Sequence, residues 1–146
     1  MAETLRRGRL IARKLVIEPE FHQVDMMGFV HNASYFHWFE KGRLSILWAI
    51  MPLEEAMRLG LGLPVVRHVC DYRKAARYGD RLILTTTHEI QPRYEAKLVF
   101  RHSLMHEVNK AEIAEAETTL TIMDMRTGQL VREFPPEVWA RYQSLE

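Results

Sequence analysis

The stretch from Phe21 to Trp48 holds the residues whose types and spacing could do chemistry. Asp25 supplies a carboxylate, and Gly28 three residues later suits a tight turn because it lacks a Cβ and tolerates positive φ. His31 and Asn32 then open a long aromatic-rich run, with Asn32 or Ser34 as the expected helix cap. The first turn of a helix carries backbone N–H groups without intrahelical partners, and with the aligned peptide dipoles these favour negative charge. An Asp-x-x-Gly-x-x-His-Asn loop therefore brings a carboxylate near an oxyanion site. Hydrolysis of a thioester requires both parts, a base or nucleophile for the carbonyl carbon and fixed donors where the tetrahedral oxygen turns negative. Asp25 fits the first role, and the N–H groups of Asn32 and Ala33 fit the second.

Rival chemistry is weaker. His102 and His106 are four apart, which in a strand is about 13 Å and too far for one metal ion. His22, His31 and His37 surround the loop without zinc-ligand spacing, so no metal site is expected, and His31 is the best substrate contact among them. Cys70 lies in an apolar strand, where an inert buried thiol is the usual outcome. Asp80 follows Gly79 at a strand entrance, as turn chemistry requires. Glu40, two turns into the helix, suits a structural or orienting role. Arg73, Lys74 and Arg77 form a basic loop that, with Arg93, is suited to phosphates. Met26 and Met27 either line an apolar pocket or fill packing gaps.

The run Asp25-Met-Met-Gly28-Phe-Val30-His31-Asn32, continuing through Tyr35, Phe36, Trp38 and Phe39 to Glu40, resembles the signature of hotdog-fold acyl-CoA thioesterases of the 4-hydroxybenzoyl-CoA thioesterase type. A weaker likeness extends over nearly the whole chain and includes Tyr78-Gly79-Asp80. The resemblance implies that Asp25 is the catalytic carboxylate, acting as nucleophile or as general base on a water. It implies that the N–H of Asn32 polarises the thioester carbonyl, with Gly28, His31 and Tyr35 of the same motif around an acyl-CoA substrate whose phosphates the basic loop of Arg73, Lys74 and Arg77 would meet. Coenzyme A is then part of the substrate, with no separate cofactor or metal. Hotdog proteins form homodimers or homotetramers with active sites at subunit boundaries, which the resemblance carries to this chain. An acyl-carrier-protein thioesterase and a noncatalytic acyl-CoA-binding hotdog are the competing readings.

The elements that must hold these residues follow from periodicity. Tyr35, Trp38, Phe39, Gly42, Ile46 and Ala49 recur at helical spacing on one buried face, and Phe36, Leu44, Leu47 and Trp48 widen the apolar arc. Such breadth predicts a helix enclosed on several sides by a curved sheet. Pro52 and Gly60 bracket a second short helix. Strands are expected over 9–18, 63–72 and 81–90, and around the alternation Ala96, Leu98, Phe100, His102 and Leu104. Ala111 to Met123 has helix-forming composition at its start. Its period-2 face of Ala114, Ala116, Thr118, Leu120 and Ile122 nevertheless predicts a strand whose small members admit the central helix. Residues 135–144 suit a terminal helix. The result is an α+β hotdog domain over 1–146, an antiparallel five-stranded sheet wrapped around one long helix.

With 146 residues and 47% hydrophobic content, the chain is the size of one domain. Twenty basic against nineteen acidic residues give a formal charge of +1, which offers no global field for nucleic acid. One cysteine excludes an internal disulfide, the charged N-terminus lacks a signal peptide's apolar core, and no apolar run is long enough to span a bilayer. Cytoplasmic residence is the expectation.

Overall fold

The computed structural model describes residues 8–146; the charged segment 1–7 used in the localisation argument lies outside them. Five strands form one antiparallel sheet: β1 (Leu10–Ile17), β3 (Val65–Tyr72), β4 (Leu82–Glu89), β5 (Lys97–His106) and β6 (Glu112–Thr121), in the order β1-β4-β5-β6-β3. The long helix α1 (Asn32–Ile50) lies against it. A short α2 (Leu53–Leu59) follows, ending on Gly60 in the left-handed conformation at φ +67°, where glycine carries no Cβ penalty. Two-residue strands β2 (Leu61–Gly62), β7 (Met123–Asp124) and β8 (Gln129–Leu130) form a small second sheet, and α3 (Pro136–Gln143) closes the chain. This is the expected hotdog architecture, and 111–123 is strand despite its helix-forming start.

Register explains why that segment is a strand. Ala114, Ala116, Thr118, Leu120 and Ile122 are all buried on the helix side, and a helical register would scatter them around an axis. β4 and β5 alternate in the same way, burying Leu82, Leu84, Thr86 and His88 alongside Leu98, Phe100, His102 and Leu104.

The α1 face is buried at Tyr35, Trp38, Phe39, Gly42 and Ile46, but Ala49 is exposed and Ile50 takes its place. A straight helix gains 100° per residue, so the apolar stripe drifts by one position over four turns. The predicted enclosure on several sides is also incomplete. Phe36 and Trp48 remain 44% and 53% exposed.

The buried space between helix and sheet falls into two apolar clusters. One gathers Tyr35, Trp38, Phe39, Leu84, Leu104 and Ala114; the other gathers Ile46, Ile50, Phe100, Leu120, Phe134 and Tyr142. Where they meet, β3, β4, β5 and β6 each contribute a polar side chain and the helix contributes Gly42. Thr86 Oγ1 lies 2.9 Å from His102 Nδ1, His102 Nε2 lies 3.4 Å from Thr118 Oγ1, and Thr118 Oγ1 lies 2.8 Å from His68 Nδ1. This polar belt runs from β4 to the sheet edge at β3.

Burial, reinforced by the charge of Arg43, pushes His102 down to about 3 and lowers His68. Both are neutral in the fold at pH 7. Because the unfolded chain binds these protons near pH 6.5, stability is complete above that value and falls as pH drops toward 3. For His102 alone, moving from pH 7 to pH 5 should cost about 2 kcal/mol. Denaturant midpoints at the two values measure it, and a His102→Gln variant should show a shallower acid loss.

At the far end, α3 seals the second cluster. The Tyr142 hydroxyl is buried between His88 Nε2 and the Gln91 N–H, each at 2.7 Å, while His88 Nδ1 lies 2.8 Å from the Val99 carbonyl. The Nδ1–H of His88 donates to Val99, so Nε2 accepts the tyrosine proton and the tyrosine oxygen accepts from Gln91. Arg141 makes a bidentate ion pair with Glu55, tying α3 to α2. Tyr142→Phe strands one acceptor and one donor and should cost about 2–4 kcal/mol in a denaturant titration. A loss below about 1 kcal/mol would mean water replaces both bonds.

Candidate active site

Asp25 heads a closed loop. After a 3-10 turn over Phe21–Gln23, Val24 bridges Val30 in antiparallel fashion, and the His31 N–H donates to the Gln23 carbonyl at 2.9 Å. Within that closure the Asp25 N–H donates to the Phe29 carbonyl at 2.8 Å, and Gly28 turns the chain at φ +78°. Asp25 Oδ1 accepts from the N–H groups of Met27 at 2.8 Å and Phe29 at 3.1 Å. Oδ2 has no hydrogen-bond partner among the described residues. One oxygen thus builds the turn while the other is available. Asp25 is partly exposed.

The helix cap falls one residue before Asn32 and three before Ser34, the two expected caps. His31 is the N-cap, extended at φ −59° and ψ 137°, and its side chain makes no capping bond. The bond from its N–H to Gln23 already fixes the extended residue, so Asn32 is free to become the first helical position. Ser34 donates its N–H to the His31 carbonyl at 3.0 Å. The N–H groups of Asn32 and Ala33, in the first turn, point out of the helix without intrahelical partners. Both residues are exposed, as is His31.

A second loop is stitched to the first. The Val30 N–H donates to the Ala76 carbonyl at 2.9 Å, Phe29 bridges Arg77, and the Arg77 guanidinium sits 4.6 Å above the Phe29 ring. Asp80 Oδ2 accepts from the Arg77 N–H at 2.8 Å and so builds this second turn. Tyr35 joins the two from below. It is 3% exposed, its hydroxyl accepts the Ala76 N–H at 3.2 Å, and its ring packs on Trp38 and Tyr72. Tyr35, expected among the substrate contacts, positions the loops in this structure. Its hydroxyl is pushed upward by burial and is used internally.

The basic cluster is divided in the same way. Arg77 belongs to the Asp25 loop, whereas Arg73 pairs with Glu115 at 3.4 Å on the sheet. Lys74 is exposed, its N–H donating to the Ile113 carbonyl. Met26 and Met27 are 104% and 70% exposed at the loop tip, so neither fills packing space within the chain. The Cys70 thiol is held up by burial in β3. Glu40 meets Arg43 at 3.2 Å. No group of three His, Cys, Asp or Glu side chains gathers to hold a metal ion among the described residues.

A concavity of about 490 Å³ opens on the opposite face of the sheet, among Arg67, Val69, Asp71, Thr85, Arg101 and Glu117. None of the expected site residues lines it. The Asp25 loop lies apart from this concavity, close to the sheet edge at β3. Among the described residues β3 has no neighbour on its outer side, and Val65, Val66, Val69 and Tyr72 are exposed along it. The residues missed by sequence periodicity are those of the polar belt and Arg43. The belt's signal is polar residues on a buried strand face; Arg43, on α1, has no such signal.

Residues 19–142 match the family model of the thioesterase-like superfamily. The chain belongs to that superfamily and is a thioester hydrolase with the hotdog fold. The solved structures share its architecture. The 1,4-dihydroxy-2-naphthoyl-CoA thioesterase of Synechocystis superposes with a TM-score of 0.79 at 16% identity, covering 92% of this chain and 97% of that one. A DHNA-CoA thioesterase of Staphylococcus aureus gives 0.76 at 22% identity, over 91% of each chain. A further Staphylococcus aureus protein, SAV2348, solved in complex with CoA, gives 0.74 at 16% identity over 96% of this chain and 88% of its own. Among the described residues no helix is long and apolar enough to cross a membrane.

Proposed function

We propose that this chain is an acyl-CoA thioesterase, releasing a carboxylic acid and coenzyme A without metal or redox cofactor. Asp25 attacks the carbonyl or activates the water, and the N–H groups of Asn32 and Ala33 hold the oxyanion. The observation that carries this reading is the closed loop from Gln23 to His31, which ties the carboxylate-bearing turn to the first turn of α1. A carboxylate supplies the base and the helix opening supplies fixed donors, so the two requirements of acyl transfer are met by one loop. His31 and Gly28 line the same loop. Arg77, with Lys74 exposed nearby, is suited to the phosphates of coenzyme A. The solved relative with bound CoA supports this choice of carrier.

The working unit in this proposal is a homodimer or homotetramer. Support comes from the open β3 edge with its exposed valines and from the half-exposed Phe36 on α1. An uncovered apolar sheet edge is a template for pairing, and a second protomer there would roof the Asp25 loop. Light scattering should return a dimer or tetramer mass, and a monomer at micromolar concentration would contradict it.

A thiol-release screen over aliphatic and aromatic acyl-CoAs, with acyl-carrier-protein thioesters of matched chains, tests the activity. Turnover of acyl-CoA is expected. Turnover confined to the carrier-protein forms would reassign the substrate, and saturable acyl-CoA binding without thiol release would make the chain a binding protein.

A further inference from the structure

The polar belt ends at an atom with nothing to bond. His68 Nε2 is buried and has no hydrogen-bond partner among the described residues. Proton counting along the belt says what kind of partner it needs. His68 and His102 are neutral at pH 7 and carry one ring proton each, and each threonine carries one hydroxyl proton. Thr86 Oγ1 has only His102 as a partner among the described residues. If the Thr86 proton points to His102 Nδ1, then His102 Nε2–H donates to Thr118, and Thr118 O–H donates to His68 Nδ1. The remaining proton must then sit on His68 Nε2. The reverse order leaves the Thr86 hydroxyl proton buried with no acceptor, which is costly. The belt therefore fixes His68 Nε2 as a donor.

A largely buried cation, Arg43, follows Gly42 on α1, where the helix meets the belt. The Arg43 side chain is only 12% exposed, its charge acts on both His68 and His102, and Glu40 at 3.2 Å is its one ion-pair partner among the described residues. Phe36 leans edge-on over His68 with ring centroids 4.6 Å apart, and its exposure allows it to swing aside. The position is also telling. Tyr72 on β3 donates its hydroxyl to the Asn32 carbonyl at the opening of α1. His68 lies further along the same strand, against Phe36 and Phe39. Those residues are four and seven positions into the helix from Asn32, or about 6 to 10 Å along its axis.

We propose that His68 and Arg43 form a recognition point for an acceptor oxygen on the acyl group, a terminal carboxylate above all. Preferred substrates are then thioesters of dicarboxylic acids rather than plain alkanoyl groups. The proposal rests on the thioesterase reading for the position of the carbonyl. A plain alkyl end leaves the buried donor unpaired, as it is in the free protein, whereas a carboxylate satisfies it and meets the arginine. Thr118 is the positioning residue, since its hydroxyl fixes which nitrogen of His68 carries the proton.

The test compares adipyl-CoA with hexanoyl-CoA, which differ only in the terminal carboxylate. Wild type should favour adipyl-CoA in kcat/KM by roughly tenfold or more. Thr118→Val and His68→Leu should bring the ratio to near one while hexanoyl-CoA turnover stays within a few-fold, and Arg43→Met should lower it. A ratio unchanged in all three variants overturns the proposal, as does wild type favouring neither acyl group. Nitrogen-15 spectra of His68, with non-hydrolysable thioether analogues of both substrates, provide a readout independent of catalysis. A shift of Nε2 specific to the adipyl analogue supports the recognition point even if no thioester is cleaved, in which case the hydrolase reading alone fails. Equal response to both analogues overturns it.

Discussion

Asp25→Asn should fold like the parent and lose roughly a hundredfold or more of its thioester turnover. The loop geometry makes this substitution clean. Asp25 Oδ1 accepts from the N–H groups of Met27 and Phe29, and an asparagine Oδ1 accepts the same two bonds. The turn and the bridge between Val24 and Val30 should persist, with stability within about 1 kcal/mol of the parent. What disappears is the negative charge at the other oxygen, which a nucleophile and a general base both need. Asp25→Ala would remove turn and charge together and could not separate them. Turnover of Asp25→Asn near the parent level, with an unchanged denaturation midpoint, would reduce Asp25 to a turn residue.

Gly42→Val should be the most damaging single change in the helix, lowering stability by about 3 kcal/mol in a denaturant titration. Two effects compete. Glycine inside a helix costs about 1 kcal/mol relative to alanine, so a side chain at position 42 gains in propensity. Against this, a Cβ there would collide with Thr86 Oγ1 and approach Leu84 Cδ2 to 3.1 Å. Thr86 cannot simply turn away, because its hydroxyl starts the belt through His102. The helix must lift, which opens contacts for Phe39 and Ile46 on either side. Packing wins because both clusters adjoin this point. Gly42→Ala should fall between parent and valine. If valine were tolerated without loss, the close approach of α1 to β4 would not exist in solution.

The fold was legible because its strands alternate cleanly. The β4 and β5 faces, and the small-residue face of β6, follow from period-2 patterning alone, and that patterning overrode the helix-forming start at Ala111. The Asp25 turn could likewise be read from Gly28, since positive φ restricts residue choice. Periodicity does not report hydrogen-bond direction, so it missed that His31 rather than Asn32 or Ser34 caps the helix. It also could not show that the Tyr35 hydroxyl is committed to Ala76. Met26 and Met27 do not fill packing gaps within this chain, because a turn tip exposes whatever residues occupy it. The belt of Thr86, His102, Thr118 and His68 was visible only as polar residues on a buried face, and their connection depends on register between four strands.

The central claim is that the Asp25 carboxylate and the N–H groups of Asn32 and Ala33 act on one thioester carbonyl. A crystal structure with a non-hydrolysable acyl-CoA analogue tests it most directly. The account predicts the acyl oxygen at about 2.7–3.1 Å from at least one of those two N–H groups, with Asp25 Oδ2 facing the carbonyl carbon or a water against it. Acyl-CoA bound elsewhere, or an Asp25 side chain turned away from the carbonyl into open solvent, would contradict it.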